Sequence, residues 1–210
     1  MKILFLFLIL ITNFARAEKE IEYKFRPDYW SKGFHLNAGG GLNVTQFYSD
    51  DRFNDIGYGL NFKTDLGYFL TNRFAVEWSS NVKFDRLEKY LIWDTLITFG
   101  IRYRIKEFYV RGFYGRAPTV VFLSGRESDE YEDAKASRLQ FDGPVYGLAV
   151  GKTLQNRNGL IWFIELSGTF QRLKSREAIH MDGEVPEVVA REEDKSSVIS
   201  LYAMIGVMVF

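Results

Sequence analysis

Residues 197–210, which read SVISLYAMIGVMVF, decide the fold. Side chains of a β-strand alternate between its two faces, so residues two apart share a face. On that period Tyr202, Met204, Met208 and Phe210 lie together on one face. The pattern predicts an amphipathic strand over residues 198–210 that closes on an aromatic residue.

Seven earlier segments repeat the two-residue period, each with a largely apolar face opposite a polar face. Together with the last strand they make eight segments, an even number. Short turns join some neighbours and longer, more polar loops join the others, which predicts an antiparallel up-and-down barrel with an all-β fold. Pro118 predicts a bulge, because proline cannot donate to a strand ladder. The seven segments are residues 33–44, 57–70, 74–84, 91–104, 108–123, 143–154 and 160–173.

Charged residues concentrate on the polar faces of these segments, four of each sign. A lysine or arginine on a lipid-facing position near the bilayer midplane costs about 2–4 kcal/mol, whereas a charge inside a narrow barrel can find a partner. We therefore expect the apolar faces to meet lipid and the charges to form a network of salt bridges that plugs the lumen. A water-soluble sheet with its polar face in solvent is the alternative. The expected network is Lys63, Asp65, Glu77, Lys83, Asp94, Arg102, Arg111 and Glu165.

Aromatic residues fall near the two ends of the segments, as expected for the girdles that a transmembrane barrel places at the two membrane interfaces. The band at the short-turn end comprises Phe34, Tyr68, Phe74, Tyr103, Phe108, Trp162 and Phe210. The band at the loop end comprises Tyr58, Phe84, Trp93, Phe170 and Tyr202.

The first residues resemble a secretory signal. Lys2 precedes an apolar run, and Ala15-Arg16-Ala17 has the small-x-small form of a cleavage site. We expect a signal peptide at residues 1–17, a periplasmic lead-in at 18–32 and a barrel at 33–210. Without residues 1–17 the chain has 25 basic and 27 acidic residues, which gives no basic excess for a nucleic-acid partner. The chain has no cysteine and therefore no disulfide or thiolate site.

With its signal, eight alternating segments, loop asymmetry and terminal Phe210, the chain resembles the small bacterial outer-membrane β-barrels, the class of the OmpA transmembrane domain and OmpW-like proteins. The resemblance implies export through the inner membrane and insertion into the outer membrane, with Phe210 as an assembly signal. It implies periplasmic chaperones, the barrel assembly machinery, outer-membrane lipids and lipopolysaccharide as partners. A monomer is expected.

The sequence contains no motif that assigns a reaction, so no catalytic residue, metal site or cofactor is predicted. His180 lies in the last long loop among ordinary polar residues, and the acidic run at residues 127–133 lacks regular calcium-ligand spacing. We expect a structural or surface-interaction role. A narrow channel for small or apolar solutes and a lipid-A-modifying enzyme that uses His180 are the alternatives. Ten strands remain possible if residues 184–191 contain a hairpin.

Overall fold

The computed structural model is an antiparallel all-β structure, described for residues 33–48, 54–87, 90–122, 138–155, 161–182, 185–193 and 196–209. Residues 1–17, residues 18–32 and Phe210, which carry the predicted signal peptide, lead-in and assembly signal, lie outside these ranges. Within the described part of the chain, no helix has the length and apolarity needed to cross a membrane. The strands are β1 (Gly33–Tyr48), β2 (Asn54–Phe69), β3 (Phe74–Arg86), β4 (Leu91–Ile105), β5 (Phe108–Arg116), β6 (Thr119–Phe122), β7 (Arg138–Asp142), β8 (Pro144–Gln155), β9 (Ile161–Arg172), β10 (Ser175–Asp182), β11 (Val185–Glu193) and β12 (Ser197–Val209).

Eight of these strands close into a ring. The order around the barrel is β1-β2-β3-β4-β5-β8-β9-β12, and β12 pairs antiparallel with β1 along almost its whole length. The first and last strands must pair because a sheet in hydrocarbon cannot leave backbone donors and acceptors unpaired at an edge. The prediction of a closed eight-strand barrel is confirmed.

The other four strands extend the barrel beyond its loop end. β6 continues β5 after an interruption at Ala117-Pro118. The predicted proline bulge is wrong: Ile97 opposes Arg116 and Asp94 opposes Thr119, so no extra residue enters the strand and only the ladder is interrupted. A small sheet then continues from the first residues of β4, in the order β6, β7, β10 and β11. β10 and β11 form the hairpin that a ten-strand barrel would need, but they prolong β9 and β12 outside the ring.

Short connections gather at the opposite end. Leu70 and Phe74 close one turn through a backbone hydrogen bond of 2.9 Å, and a two-residue turn joins β4 to β5. That second turn places Lys106 at a φ of 58°, a backbone conformation that suits tight hairpins. The asymmetry of loop length therefore matches that of outer-membrane barrels, whose short turns are periplasmic.

Candidate functional site

The register of the strands sets the width of the lumen. If one steps from His35 through the paired residues of all eight ring strands, the path returns to β1 at Thr45, ten residues further on. With a rise of about 3.3 Å per residue and a strand spacing of about 4.8 Å, this stagger tilts the strands by about 41° and gives a backbone radius of about 8 Å. Such an interior is just wide enough for side chains to fill.

Six of the predicted charges form one network, which we call the central ionic cluster: Lys63, Asp65, Glu77, Arg102, Arg111 and Glu165. All six are at most 3% exposed. Arg111 is its hub. One guanidinium nitrogen of Arg111 lies 3.0 Å from Asp65 and 3.5 Å from Glu77, and the other lies 3.8 Å from Glu165.

The remaining cations of the central ionic cluster connect the same three carboxylates. Lys63 Nζ lies 2.7 Å from Glu165 and 3.0 Å from Asp65. Arg102 Nε lies 2.9 Å from Glu77. Three cations and three carboxylates leave the cluster formally neutral, which is the condition under which buried ions are tolerated.

Arg102 and Arg111 occupy directly opposed positions on β4 and β5. Like charges that face each other across two strands repel and destabilise the pair. Because both arginines contact Asp65 and Glu77, the shared carboxylates offset this repulsion. The neutrality of the central ionic cluster is therefore also a local requirement of this strand pair.

The other two predicted charges form a separate pair nearer the loop end. Lys83 and Asp94 oppose each other on β3 and β4, with 2.7 Å between Lys83 Nζ and Asp94 Oδ2. Lys83 also donates a hydrogen bond of 2.8 Å to Ser200 on the far side of the lumen. The structure thus places all eight predicted charges in the lumen and divides them between two groups.

Several lumen groups outside the predicted network hold these charges in place. His35 lies with Nε2 2.8 Å from Glu77. Tyr109 donates its hydroxyl to Glu165 at 2.8 Å. Asp85 accepts hydrogen bonds from Asn43 and Thr45. Asp85 could have been found by extending the alternation of the third segment past residue 84.

Apolar side chains close the lumen on both sides of the charges. Phe69, Ala75, Ile161 and Met208 form a cluster at the short-turn end. At the loop end lies a larger one, which we call the outer apolar plug: Phe47, Leu87, Ile92, Val121, Leu139, Phe141, Leu173 and Val198. Each member of both clusters is at most 4% exposed. The ionic groups therefore lie in a compartment that the described side chains shield from water at both ends.

Glycines make room for the bulkiest lumen side chains. A Cβ on Gly147 would overlap the ring of Phe113, and a Cβ on Gly151 would overlap the ring of Tyr109. Gly67 lies in the same way against His35. Small residues opposite large ones are what allows a narrow barrel to fill its interior without voids.

One prediction about the last strand is wrong. Tyr202, Met204 and Met208 lie inside the barrel at 2–4% exposure, and Ile205 and Val209 face outward in their place. Tyr202 therefore does not belong to the aromatic band at the loop end. Both faces of β12 are apolar, so the alternation alone does not show which face points into the lumen. Tyr202 pairs with Asn43 and Ser167, which both face the lumen, and this pairing places Tyr202 inside the barrel.

The outer surface carries the expected band of exposed apolar and aromatic side chains. The remaining aromatic residues of the two bands that lie within the described ranges are on the outward face, where Phe74 is half-buried and the others are exposed. Leucine, isoleucine and valine fill the positions between the bands, among them Leu42, Ile101, Leu148 and Ile205.

The geometry can be compared with known proteins. It is similar to Ail, the attachment invasion locus protein of Yersinia pestis, with a TM-score of 0.56 and 15% identity over 85% of this chain and 100% of that one. The fold is that of a small outer-membrane β-barrel. Neisserial surface protein A (TM-score 0.48, 10% identity, 83% of this chain and 96% of that one) and OprG from Pseudomonas aeruginosa (0.47, 14%, 84% and 96%) also match. No protein-family model and no curated protein matches the chain.

Proposed function

We propose that this protein is a bacterial outer-membrane barrel with a sealed lumen and a structural or surface-interaction role. The filled lumen is the observation that carries the proposal. Two apolar clusters enclose a set of paired charges, so a solute would have to break ion pairs and displace packed side chains to pass. Breaking a buried ion pair costs several kcal/mol, so thermal motion rarely breaks one.

The outward surface supports the membrane placement. Large apolar side chains such as Phe99 and Leu148 are about 70% exposed in the isolated chain, as side chains that meet acyl chains should be. In this proposal residues 1–17 direct export, and periplasmic chaperones and the barrel assembly machinery deliver the monomer. Outer-membrane lipids, including lipopolysaccharide, surround it.

The strands that rise above the ring support the surface role. β10 and β11 continue past the outer apolar plug as a hairpin, and among the described residues β11 pairs only with β10. An unpaired strand edge offers backbone donors and acceptors to another molecule. A sheet of this kind, joined to the barrel through β7 and β6, is suited to contact with a molecule outside the cell.

Planar-bilayer recording tests the sealed lumen. We expect no steady open state for the purified, refolded barrel, with a general porin in the same bilayers as the positive control. A large and persistent conductance would refute the proposal. Glu77→Gln separates the two outcomes: a latent pore would gain conductance, whereas a plug would lose thermal stability while conductance stays absent.

The proposed role is non-enzymatic, and lipid A provides the test. Mass spectrometry of lipid A from cells that express the protein and from cells that express His180→Ala should give identical spectra. A mass change that depends on His180 would instead establish a lipid-modifying activity. The side chain of His180 lies outside the described part of the structure, although its backbone pairs with Glu187.

A further inference from the structure

The contact between Lys83 and Asp94 differs from an ordinary salt bridge. Lys83 Nζ lies 2.7 Å from Asp94 Oδ2, yet within the described part of the chain neither carboxyl oxygen of Asp94 accepts a hydrogen bond. The two atoms are therefore close but lack the alignment that a hydrogen bond needs. Since a carbonyl carbon is only about 1.2 Å from its oxygen, Lys83 Nζ lies within about 4 Å of Asp94 Cγ.

The pair of Lys63 and Glu165 provides the contrast, at the same distance of 2.7 Å. There Lys63 donates a hydrogen bond to the carboxylate, which also accepts hydrogen bonds from Tyr109 and Ser167. Buried ions are stabilised when hydrogen bonds satisfy their remaining lone pairs. The carboxylate of Asp94 has no such support among the described residues, so it is the less stable of the two as an ion.

The pair of Lys83 and Asp94 lies in a dry part of the lumen. Their side chains are 1% and 0% exposed. Ile92 and Leu96, the next lumen-facing residues of β4 on either side of Asp94, are buried, and Ile92 belongs to the outer apolar plug. Buried charges lose the solvation of water, so such surroundings favour a neutral product over two ions.

A chain of hydrogen bonds leads away from the ammonium group of Lys83. Lys83 donates to Ser200 at 2.8 Å, and the hydroxyl of Ser200 lies 3.0 Å from that of Thr45. Thr45 in turn donates to Asp85 at 2.8 Å. Because a hydroxyl group can accept one proton and donate another, Ser200 and Thr45 connect the ammonium group to a second carboxylate. We call these two residues the hydroxyl relay.

The geometry points to an isopeptide bond between Lys83 and Asp94 that the folded chain forms by itself. The bond joins Lys83 Nζ to Asp94 Cγ, and one carboxyl oxygen of Asp94 leaves as water. Because the two residues oppose each other on β3 and β4, the bond ties neighbouring strands without a change of register. This modification goes beyond the proposed function, since it replaces one ion pair of the sealed lumen with a covalent link.

The protons balance without any added reagent. The first ammonium proton crosses the 2.7 Å contact and makes Asp94 a neutral acid, whose Cγ the amine of Lys83 then attacks. A second proton passes from the nitrogen through the hydroxyl relay to Asp85. The relay returns this proton to the departing hydroxyl of Asp94, so water leaves and Asp85 is regenerated. Groups held in contact react as if at concentrations of about 10⁵–10⁸ M when they are well oriented.

Mass spectrometry of the refolded full chain tests the bond. The unfolded chain should have the full mass of its sequence, and the folded barrel should be lighter by the mass of one water molecule. Trypsin should then release peptides 74–86 and 90–102 as one branched species, without cleavage after Lys83. A folded barrel that keeps its full mass after prolonged incubation would overturn the proposal.

Lys83→Gln/Asp94→Asn supplies the control that cannot form the bond. It removes one charge of each sign and nearly preserves side-chain size, so the barrel should fold and keep the full mass of its sequence. A water loss that persists in this variant would come from elsewhere, such as the Asp-Gly sequences at 142–143 and 182–183, and would overturn the assignment. Peptides that contain Lys63 and Glu165 should remain separate, and a link between them would remove hydrogen-bond alignment as the reason for the reaction.

The hydroxyl relay is tested by the rate at which folded barrels lose water after refolding. Thr45→Val and Asp85→Asn interrupt the path beyond Ser200 and leave both reacting groups in place. Each should slow the reaction by about 100-fold or more, as loss of general acid–base catalysis does. Ser167→Ala removes a lumen hydroxyl outside the relay and should not change the rate. Since only folded barrels are counted, by their mobility in unheated gels, a purely structural role would leave the rate unchanged, and that result would refute the relay.

Discussion

Glu165→Gln should reveal whether the lumen is sealed. The substitution keeps the size of the side chain but removes one of three carboxylates from the central ionic cluster. Lys63 then loses its partner at 2.7 Å, and Arg111 loses one at 3.8 Å, so the cluster carries an uncompensated positive charge. Both cations keep Asp65 at 3.0 Å, which places the expected loss near the lower end of the 3–5 kcal/mol range for breaking a buried pair.

We therefore expect the free energy of unfolding to fall by about 3 kcal/mol. Urea titration of the barrel in lipid vesicles, followed by tryptophan fluorescence, measures it. The Debye length falls from about 10 Å at 0.1 M salt to about 3 Å at 1 M. If the cluster were hydrated, salt would screen its charges, and the substitution would cost less stability at high salt. A sealed cluster excludes the ions, so the loss should not depend on salt.

A second substitution supplies the matched comparison. Lys63→Met/Glu165→Gln removes one charge of each sign and restores neutrality, so it should recover most of the lost stability. Arg73→Gln removes a charge from an exposed turn and should change stability by less than about 0.5 kcal/mol. A loss below about 1 kcal/mol for Glu165→Gln, or one that disappears in high salt, would show that water reaches the cluster and would refute the sealed lumen.

Three other predictions use the same unfolding assay. Tyr109→Phe removes a hydroxyl that donates to a carboxylate and should cost about 1.5–3 kcal/mol; a smaller effect would mean that the hydrogen bond is exchanged with water. Gly147→Val should cost at least about 1–3 kcal/mol because its side chain overlaps Phe113, whereas Gly40→Val, which points into lipid, should be tolerated; equal effects would contradict the packing of the lumen. Ile205→Arg should cost about 2–4 kcal/mol, because the residue faces outward on β12; a neutral result would place this face of the last strand in the lumen.

The sequence predicted the barrel well where the two faces of a strand differ in chemistry. In β3 and β4 charged and apolar residues alternate cleanly, so Glu77, Lys83, Asp94 and Arg102 could be assigned to the lumen from the period alone. A one-residue slip would expose every one of them to lipid, which makes the phase of such strands strongly specified. In β12 both faces are apolar, and the assignment of Tyr202 failed for that reason.

Pairing between charges lay beyond the sequence. Lys63 and Glu165 are 102 positions apart, yet their side chains lie 2.7 Å from each other. The alternation says that both point inward but carries no information on the height at which each residue lies. That height depends on the stagger of the strands, and the stagger emerges only when the sheet closes.

By itself the sequence determined that this chain makes an eight-strand barrel with apolar residues outside and charges inside, because burial and exposure repeat with the period of the strand itself. The tertiary structure alone decided how those charges divide into a six-membered cluster and a pair, and that apolar clusters close the lumen at both ends. These features join residues distant in the chain, and only the closure and register of the sheet bring them together.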